Sequence, residues 1–273
     1  MRYQQEVPMR ANKVKRALKA GQVAIGTMID EVRSPGIAQI LASAGLDFFF
    51  VDMEHGAYDL AIAADIIRTA RLEGICPLVR APDSRYAPLG RILDIGALGL
   101  MVPRIGSRKQ VEELVAETKY PPLGRRGCFI TGAMNEYRGQ ATGSYMAEAN
   151  EETLVIVQVE LAEAVAEIDA LLSVPGVDVA FLGPGDLSID LGVPGQTDHP
   201  RVLQAIERVL EACRKHNVVP GIHLNSIEAL AGWMHKGVRM VTWNTDIRVL
   251  LGTYTDGAAR LRKEALALSG SAS

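Results

Sequence analysis

The chain has 273 residues, 48% of them hydrophobic and 22% charged, which is enough to bury a large core and fits a one-domain α/β barrel. With 29 basic against 32 acidic residues and a formal charge of -3, it lacks the electrostatic footprint of a nucleic-acid binder or of a protein held on an anionic membrane, so small-molecule partners are expected. Cys76, Cys128 and Cys213 are odd in number and far apart, which predicts neither a disulfide framework nor a thiolate metal knuckle.

Taken in chain order, short apolar runs alternate with longer amphipathic stretches. The start, Met1-Arg2-Tyr3-Gln4-Gln5-Glu6, lacks an apolar signal core. Val23 to Ile29 reads as the first strand and Pro35 to Ala44 as the first helix; Asp47 to Val51 and Leu60 to Leu72 follow, then Ile75 to Val79 and Ala87 to Ile95, then Leu98 to Val102 and Ser107 to Lys119. Tyr120 to Asn150 breaks the rhythm with glycines at 124, 127, 132, 139 and 143. This long loop, 120–150, exceeds an ordinary connection and is expected to be a lid or a subunit-contact element. The alternation resumes with Leu154 to Val159 and Ala162 to Leu172, Val177 to Leu182 and Pro200 to His216, Val218 to Ile222 and Ser226 to His235, and Arg239 to Trp243 and Ile247 to Leu268. The small polar tail from Ser269 to Ser273 is expected to fray. No apolar stretch approaches the ~20 residues that span a bilayer, and a cytoplasmic protein without membrane partners is expected.

Strict strand–helix alternation implies a parallel sheet, and eight units imply closure into a single (β/α)8 TIM barrel spanning 1–273. A doubly wound open sheet is the alternative. It usually carries a phosphate-binding glycine fingerprint after its first strand, and Gly26-Thr27-Met28-Ile29-Asp30 is not one.

In a parallel barrel, polar residues just past the strands converge on the carboxyl-end mouth. Here those residues are Asp52-Met53-Glu54-His55-Gly56 after the second run, Arg80 after the third, Glu160 after the fifth, and Asp186 in Gly183-Pro184-Gly185-Asp186 after the sixth. A carboxylate at the end of a buried strand must be paired, hydrogen-bonded or on a cation. Glu160 and Asp186 on consecutive strands could share a hard divalent ion with oxygen ligands; the alternative is salt bridging within the mouth. Gln158 points to the same barrel face as Glu160. Arg80 has a salt bridge to Asp52 or Glu54 as its structural alternative. His199, His216 and His235 fall before or at helix ends, where a capping or dipole contact suffices. His223 could line the mouth, but nothing pairs with it in sequence.

The order and spacing of Ala44-Gly45-Leu46-Asp47, Asp52-Met53-Glu54-His55, Leu78-Val79-Arg80, Gly99-Leu100-Met101-Val102-Pro103, Tyr120-Pro121-Pro122-Leu123-Gly124-Arg125-Arg126-Gly127, Gln158-Val159-Glu160 and Gly183-Pro184-Gly185-Asp186-Leu187-Ser188 resemble the HpcH/HpaI aldolases, which are class II, metal-dependent pyruvate aldolases. The resemblance implies that Glu160 and Asp186 hold Mg²⁺, Mn²⁺ or Co²⁺, that Arg80 contacts the keto oxygen, and that His55 with Asp52 forms a general-base dyad. It also implies that Glu54 hydrogen-bonds waters around the ion, and that Gln158 and the backbone amides of Gly185 and Asp186 help bind substrate. The activity so implied is reversible cleavage of a 4-hydroxy-2-keto acid to pyruvate and an aldehyde, by a homo-oligomer of the hexameric kind. In such an oligomer the helix 247–268 could be exchanged between subunits.

Two other readings stand beside this one: an acyl-CoA lyase of the citrate lyase β-subunit type, and a non-catalytic barrel that binds a keto acid. Several residues depart from the family pattern. Met28 stands where relatives carry an aromatic residue, Asp30 and Glu31 follow it, and Trp243 and Asn244 replace small or apolar residues. The two acids are expected to disfavour an acidic aldehyde unless Arg104, Arg125 or Arg126 offsets them.

Overall fold

The computed structural model describes residues 11–137 and 140–270. The expectations placed on Met1 to Glu6 and on the last three residues of the tail lie outside that range. Eight parallel strands close into a barrel in sequence order: β1 (Ala24–Ile29), β2 (Phe48–Asp52), β3 (Cys76–Arg80), β4 (Gly99–Val102), β5 (Leu154–Val159), β6 (Val179–Leu182), β7 (Val219–Leu224) and β8 (Met240–Thr245). Each lies within two residues of an apolar run read from the sequence. β8 pairs back onto β1. The protein is therefore a (β/α)8 barrel, and the open-sheet alternative falls because such a sheet leaves two edges.

The helices are α1 (Lys13–Lys19), α2 (Gly36–Ser43), α3 (Leu60–Glu73), α4 (Tyr86–Asp94), α5 (Arg108–Thr118), α6 (Thr142–Glu152), α7 (Ala162–Ala166), α8 (Ile168–Leu172), α9 (Pro184–Asp190), α10 (Pro200–His216), α11 (Ile227–His235) and α12 (Asp246–Gly270). Their ends follow local chemistry. Asp59 caps α3 by accepting the Ala61 and Ile62 N–H groups, and Ser107 and Gln110 form a reciprocal capping box on α5. On α10, His199 caps through its ring, Pro200 occupies the first turn, and Asn217 ends the helix in the left-handed region at φ 54°.

Two apolar layers result. Outward residues such as Phe49, Val51, Val79, Val157 and Ile222 pack under the helices. Inward residues, among them Met28, Phe48, Phe50, Leu78, Met101, Ile156 and Phe181, fill the barrel. Phe50 meets Phe48 and Phe181 edge-on, with ring centroids 5.6 and 5.5 Å apart.

The base is closed by α1, a helix too short for its period to be read from sequence. Val14 and Leu18 join the inner layer. The Asn12 amide donates to the Leu98 and Glu152 carbonyls, and Lys15 Nζ donates to the Thr153 carbonyl and pairs with Asp178. Lys119 donates to the Asn150 and Thr153 carbonyls; burial, then the charge of Lys15, lowers its pKa to about 7.

The segment 120–150 is not one loop, because residues 142–152 form α6. As the connection from α5 to β5 it lies at the amino-terminal end of the barrel, so within one chain it covers the base rather than the mouth. Tyr120, Met134, Tyr145 and Ala149 form its own small core. Arg126 is buried there, 4.7 Å from the Tyr120 ring centre and 2.7 Å from Asp94, and Arg125 pairs with Glu117. Neither arginine can offset charge at the mouth, whereas Arg104 lies just past β4 on the correct end.

The filled interior sets a limit at Gly26, where a Cβ would stand 2.6 Å from both the Phe48 ring and its carbonyl oxygen. Because the carbonyl belongs to the β1–β2 ladder, it cannot give way as a flexible side chain would. Gly26→Ala is expected to destabilise the fold by about 1–3 kcal/mol, the usual cost of overpacking, read as a lower urea midpoint at unchanged slope.

Candidate active site

At the carboxyl end of β2 the chain turns sharply, and Asp52 holds the turn. Its Oδ1 accepts the Glu54 N–H at 3.0 Å and the His55 N–H at 3.2 Å. The same carboxylate, 1% exposed, accepts Arg80 Nε at 2.9 Å and Nη2 at 2.5 Å. Asp52 and Arg80 are cross-strand partners of β2 and β3, so the sheet register brings the fork and the carboxylate together. Burial works against the charge of Arg80, but the hydrogen bonds and charge of Asp52, followed by Glu54 and Glu160, hold its pKa above the ordinary value.

Glu54 Oε2 lies 3.2 Å from Arg80 Nη1. The two attract as charges without hydrogen-bond alignment, which leaves this buried oxygen without a hydrogen-bond partner. Burial raises the Glu54 pKa, Arg80 and His55 oppose the rise, and Asp52 and Asp186 add to it. The His55 side chain is 67% exposed, with Nε2 3.9 Å from Glu54 Oε2. Asp52 thus meets His55 through the backbone and not through the imidazole, so the expected dyad is not formed in this arrangement.

Across the mouth, β5 delivers Gln158 and Glu160, both buried. Glu160 Oε1 accepts the Arg104 N–H at 2.8 Å, and Oε2 accepts the Gln158 amide. Gln158 Oε1 is buried without a partner. Asp186 stands exposed in the first turn of α9, beside Gly185. The N–H groups of such a turn have no acceptor within the helix. Burial raises the Glu160 pKa against the Arg104 hydrogen bond, and the charges of Asp186 and Glu54 raise it further. Gly183 lets the chain pass close, since a Cβ there would lie 3.3 Å from Gln158 Nε2 and from Glu160 Oε2.

Among the described residues no three His, Cys, Asp or Glu side chains form a ready metal cage. The donor set nevertheless fits a hard cation: Glu160 and Asp186 repel each other, Glu54 repels both, and two buried oxygens, Glu54 Oε2 and Gln158 Oε1, lack hydrogen-bond partners. A divalent ion drawing on Glu160 and Asp186 would relieve that repulsion and keep positions for other oxygen ligands.

Three sets of contacts here had no clear signal in the sequence. Asp246 accepts the N–H groups of Asp30, Glu31 and Val32 at 2.8, 3.1 and 2.8 Å, pinning the loop after β1. Thr242, fully buried, bonds His223 Nδ1 at 2.8 Å. Arg104 contributes its backbone N–H to Glu160 from φ 56°. Asp30 is half-buried and faces the site: burial, then Asp52 and Asp246, raises its pKa, while Thr245 and Arg80 lower it. Glu31 is exposed.

Residues 31–252 match the family model described as HpcH/HpaI aldolase/citrate lyase. A 5-keto-4-deoxy-D-glucarate aldolase from Shigella boydii serotype 18 is 32% identical over 246 residues, covering 90% of this chain and 94% of that protein. The crystal structure of an HpcH/HpaI aldolase from Desulfitobacterium hafniense DCB-2 superposes with a TM-score of 0.87 at 39% identity, covering 92% and 96% of the two chains. A citrate lyase β subunit from M. tuberculosis is more distant, with a TM-score of 0.54 at 16% identity, and shares the fold alone. The chain belongs to the HpcH/HpaI aldolase/citrate lyase family and is a carbon–carbon lyase.

The raised pKa of Glu160 fixes a sign. The buried group is favoured when protonated, and that contribution is lost as pH rises through its folded pKa; ionised Glu160 therefore costs stability at neutral pH. Glu160→Gln is expected to raise Tm at pH 7 in metal-free buffer, with the gain vanishing well below the ordinary glutamate value of 4.5. Added Mn²⁺ should raise the Tm of the wild type and leave that of the variant unchanged. Thermal melts across pH, with and without the ion, measure both.

Proposed function

We propose that this lyase cleaves a 4-hydroxy-2-keto acid to pyruvate and an aldehyde, and runs the reverse addition. The observation that carries the reading is the opposition, across one barrel mouth, of a buried cation at Arg80 and a mutually repelling carboxylate pair at Glu160 and Asp186. A divalent ion such as Mg²⁺, Mn²⁺ or Co²⁺, held by Glu160 and Asp186, would supply Lewis acidity at the keto acid.

The chain's own residues account for the remaining steps. Arg80, fixed by Asp52, places a permanent charge where the keto oxygen gains electron density, an interaction strengthened in the transition state. His55, projected into solvent by the turn that Asp52 caps, takes the C4 hydroxyl proton. The C3–C4 bond then breaks, C4 leaves as the aldehyde carbonyl, and the electron pair forms the enolate, which is protonated at C3 to give pyruvate. Asp52 is a positioning residue here: it holds Arg80 by its carboxylate and His55 by its backbone. Glu54, ion-paired with Arg80, would accept hydrogen bonds from water around the ion, while Gln158 orients Glu160. The first turn of α9, at Gly185 and Asp186, offers N–H groups to a substrate carboxylate.

The active form is a homo-oligomer of this chain. Beyond its first turns α12 runs exposed, with Leu250, Leu251, Tyr254, Leu261 and Leu266 open to solvent. Within the chain its principal contacts are with β1 and β8. A second copy exchanging the same helix would cover these side chains, which is favourable by about 25 cal/mol per Å² of apolar surface. Three free cysteines fit a cytosolic location. No helix among the described residues is long and apolar enough to cross a membrane. Cleavage of an acyl-CoA thioester is the rival activity, and it is excluded if such thioesters remain intact under conditions that release pyruvate.

Two experiments test these assignments. Decarboxylation of oxaloacetate passes through the same enolate without a hydroxyl proton to remove. His55→Ala is therefore expected to depress aldol cleavage far more than decarboxylation, and Arg80→Ala to depress both by roughly 10²-fold or more. Coupled pyruvate assays on the two substrates read the split, and equal losses for His55→Ala would make that residue structural. For assembly, Leu251→Glu with Tyr254→Glu is expected to shift the protein to monomer in sedimentation velocity; an unchanged oligomer would refute helix exchange.

A further inference from the structure

His223 has no partner in the sequence, but the fold supplies one. It is the register partner of Thr242 across β7 and β8, and its Nδ1 lies 2.8 Å from Thr242 Oγ1. Thr242 is fully buried, so the ring is anchored from below. Gly221, two residues earlier on β7, faces Phe181 in the barrel interior, and strand alternation puts His223 on that same inward face. The ring is partly accessible, and with Nδ1 engaged by Thr242 the nitrogen left for a ligand is Nε2.

The sectors of the mouth are already divided. β5 and β6 supply Glu160 and Asp186, while β2 and β3 supply Asp52 and Arg80. A keto acid whose oxygens lie between those two groups must extend its remaining carbons along the third wall, made by β7, β8 and β1. His223 and Thr242 line it, with Met28 and its register partner Thr245 beyond the irregularity between β1 and β8, and Asp30 at its rim. Burial, then the charges of Arg80 and Arg248, lowers the His223 pKa to about 4, against Asp52. The ring is neutral at working pH and cannot attract a carboxylate by charge. A neutral ring nitrogen, held in place by its partner, recognises a group that can both donate and accept a hydrogen bond.

Resting on the aldolase reading above, we propose that His223, oriented by Thr242, is a specificity-determining residue that hydrogen-bonds a hydroxyl on the aldehyde half of the substrate. Thr242 is the positioning residue of the pair. With Asp30 adding negative charge on the same wall, the substrate class selected is a hydroxylated, uncharged aldehyde. An apolar aldehyde would leave Nε2 buried against it without a partner, and the site discriminates by that cost.

The test compares kcat/KM for addition of pyruvate to glycolaldehyde and to acetaldehyde, which differ by the hydroxyl alone. The ratio cancels any change in folded fraction. The wild type is expected to favour glycolaldehyde by about tenfold, the worth of one well-placed neutral hydrogen bond. His223→Leu should abolish the preference, Thr242→Val should weaken it, and His223→Gln, which keeps a polar atom near the Nε2 position, should restore part of it. A wild type without preference, or a His223→Leu ratio equal to the wild type's, overturns the assignment of His223 and leaves the aldolase reading intact. Absence of addition to either aldehyde in the presence of Mn²⁺ overturns both.

Discussion

The bidentate contact between Arg80 and Asp52 is the interaction on which the mouth depends. It joins the ends of adjacent strands at a depth where neither charge can be left alone, and removing one partner of such a pair typically costs about 3–5 kcal/mol. One carboxylate performs several tasks: it fixes the guanidinium fork, caps the turn that presents His55, and adds to the negative field felt by Asp30 and Glu54. From across the barrel the same arginine adds to the burial that lowers the pKa of His223. A lysine at position 80 would hold one point of contact where the fork holds two.

Charge balance gives the site its chemistry. Arg80 is the principal cation facing Asp30, Asp52, Glu54, Glu160 and Asp186. It is already committed to Asp52, and its contact with Glu54 lacks hydrogen-bond alignment. Burial and mutual repulsion raise the pKa values of Asp30, Glu54 and Glu160 alike. An isolated binding barrel would gain nothing from that tension. A catalyst that must stabilise developing negative charge on a keto acid gains an arginine placed in advance and carboxylates ready for a hard cation.

Much of this was legible in the sequence because barrel strands are buried on both sides and read as continuous apolar runs. All eight were placed to within two residues, and the polar residues after the second, third, fifth and sixth runs marked the mouth. Asp52, Glu54, Arg80, Gln158 and Glu160 do converge there, with Asp186 near enough for its charge to be felt. Contacts that depend on register or on turn geometry were not legible. The family resemblance implied that Asp52 would reach the His55 imidazole, but the turn after β2 directs the carboxylate to the backbone N–H and to Arg80. His223 and Thr242 are 19 residues apart and meet only because β7 and β8 align. The base was obscured for a different reason, since α1 is a single short helix and α6 lies inside a glycine-rich stretch that reads as loop.

The most direct measurement is Mn²⁺ binding followed by electron paramagnetic resonance, with and without pyruvate, alongside pyruvate release from a 4-hydroxy-2-keto acid in excess chelator. A single site per chain is expected, tightened by pyruvate and lost in Asp186→Ala, with pyruvate release halted by the chelator and restored by added ion. An undiminished rate in excess chelator, with no Mn²⁺ bound at the Glu160 and Asp186 pair, would contradict the assignment of these carboxylates and with it the proposed chemistry of the mouth.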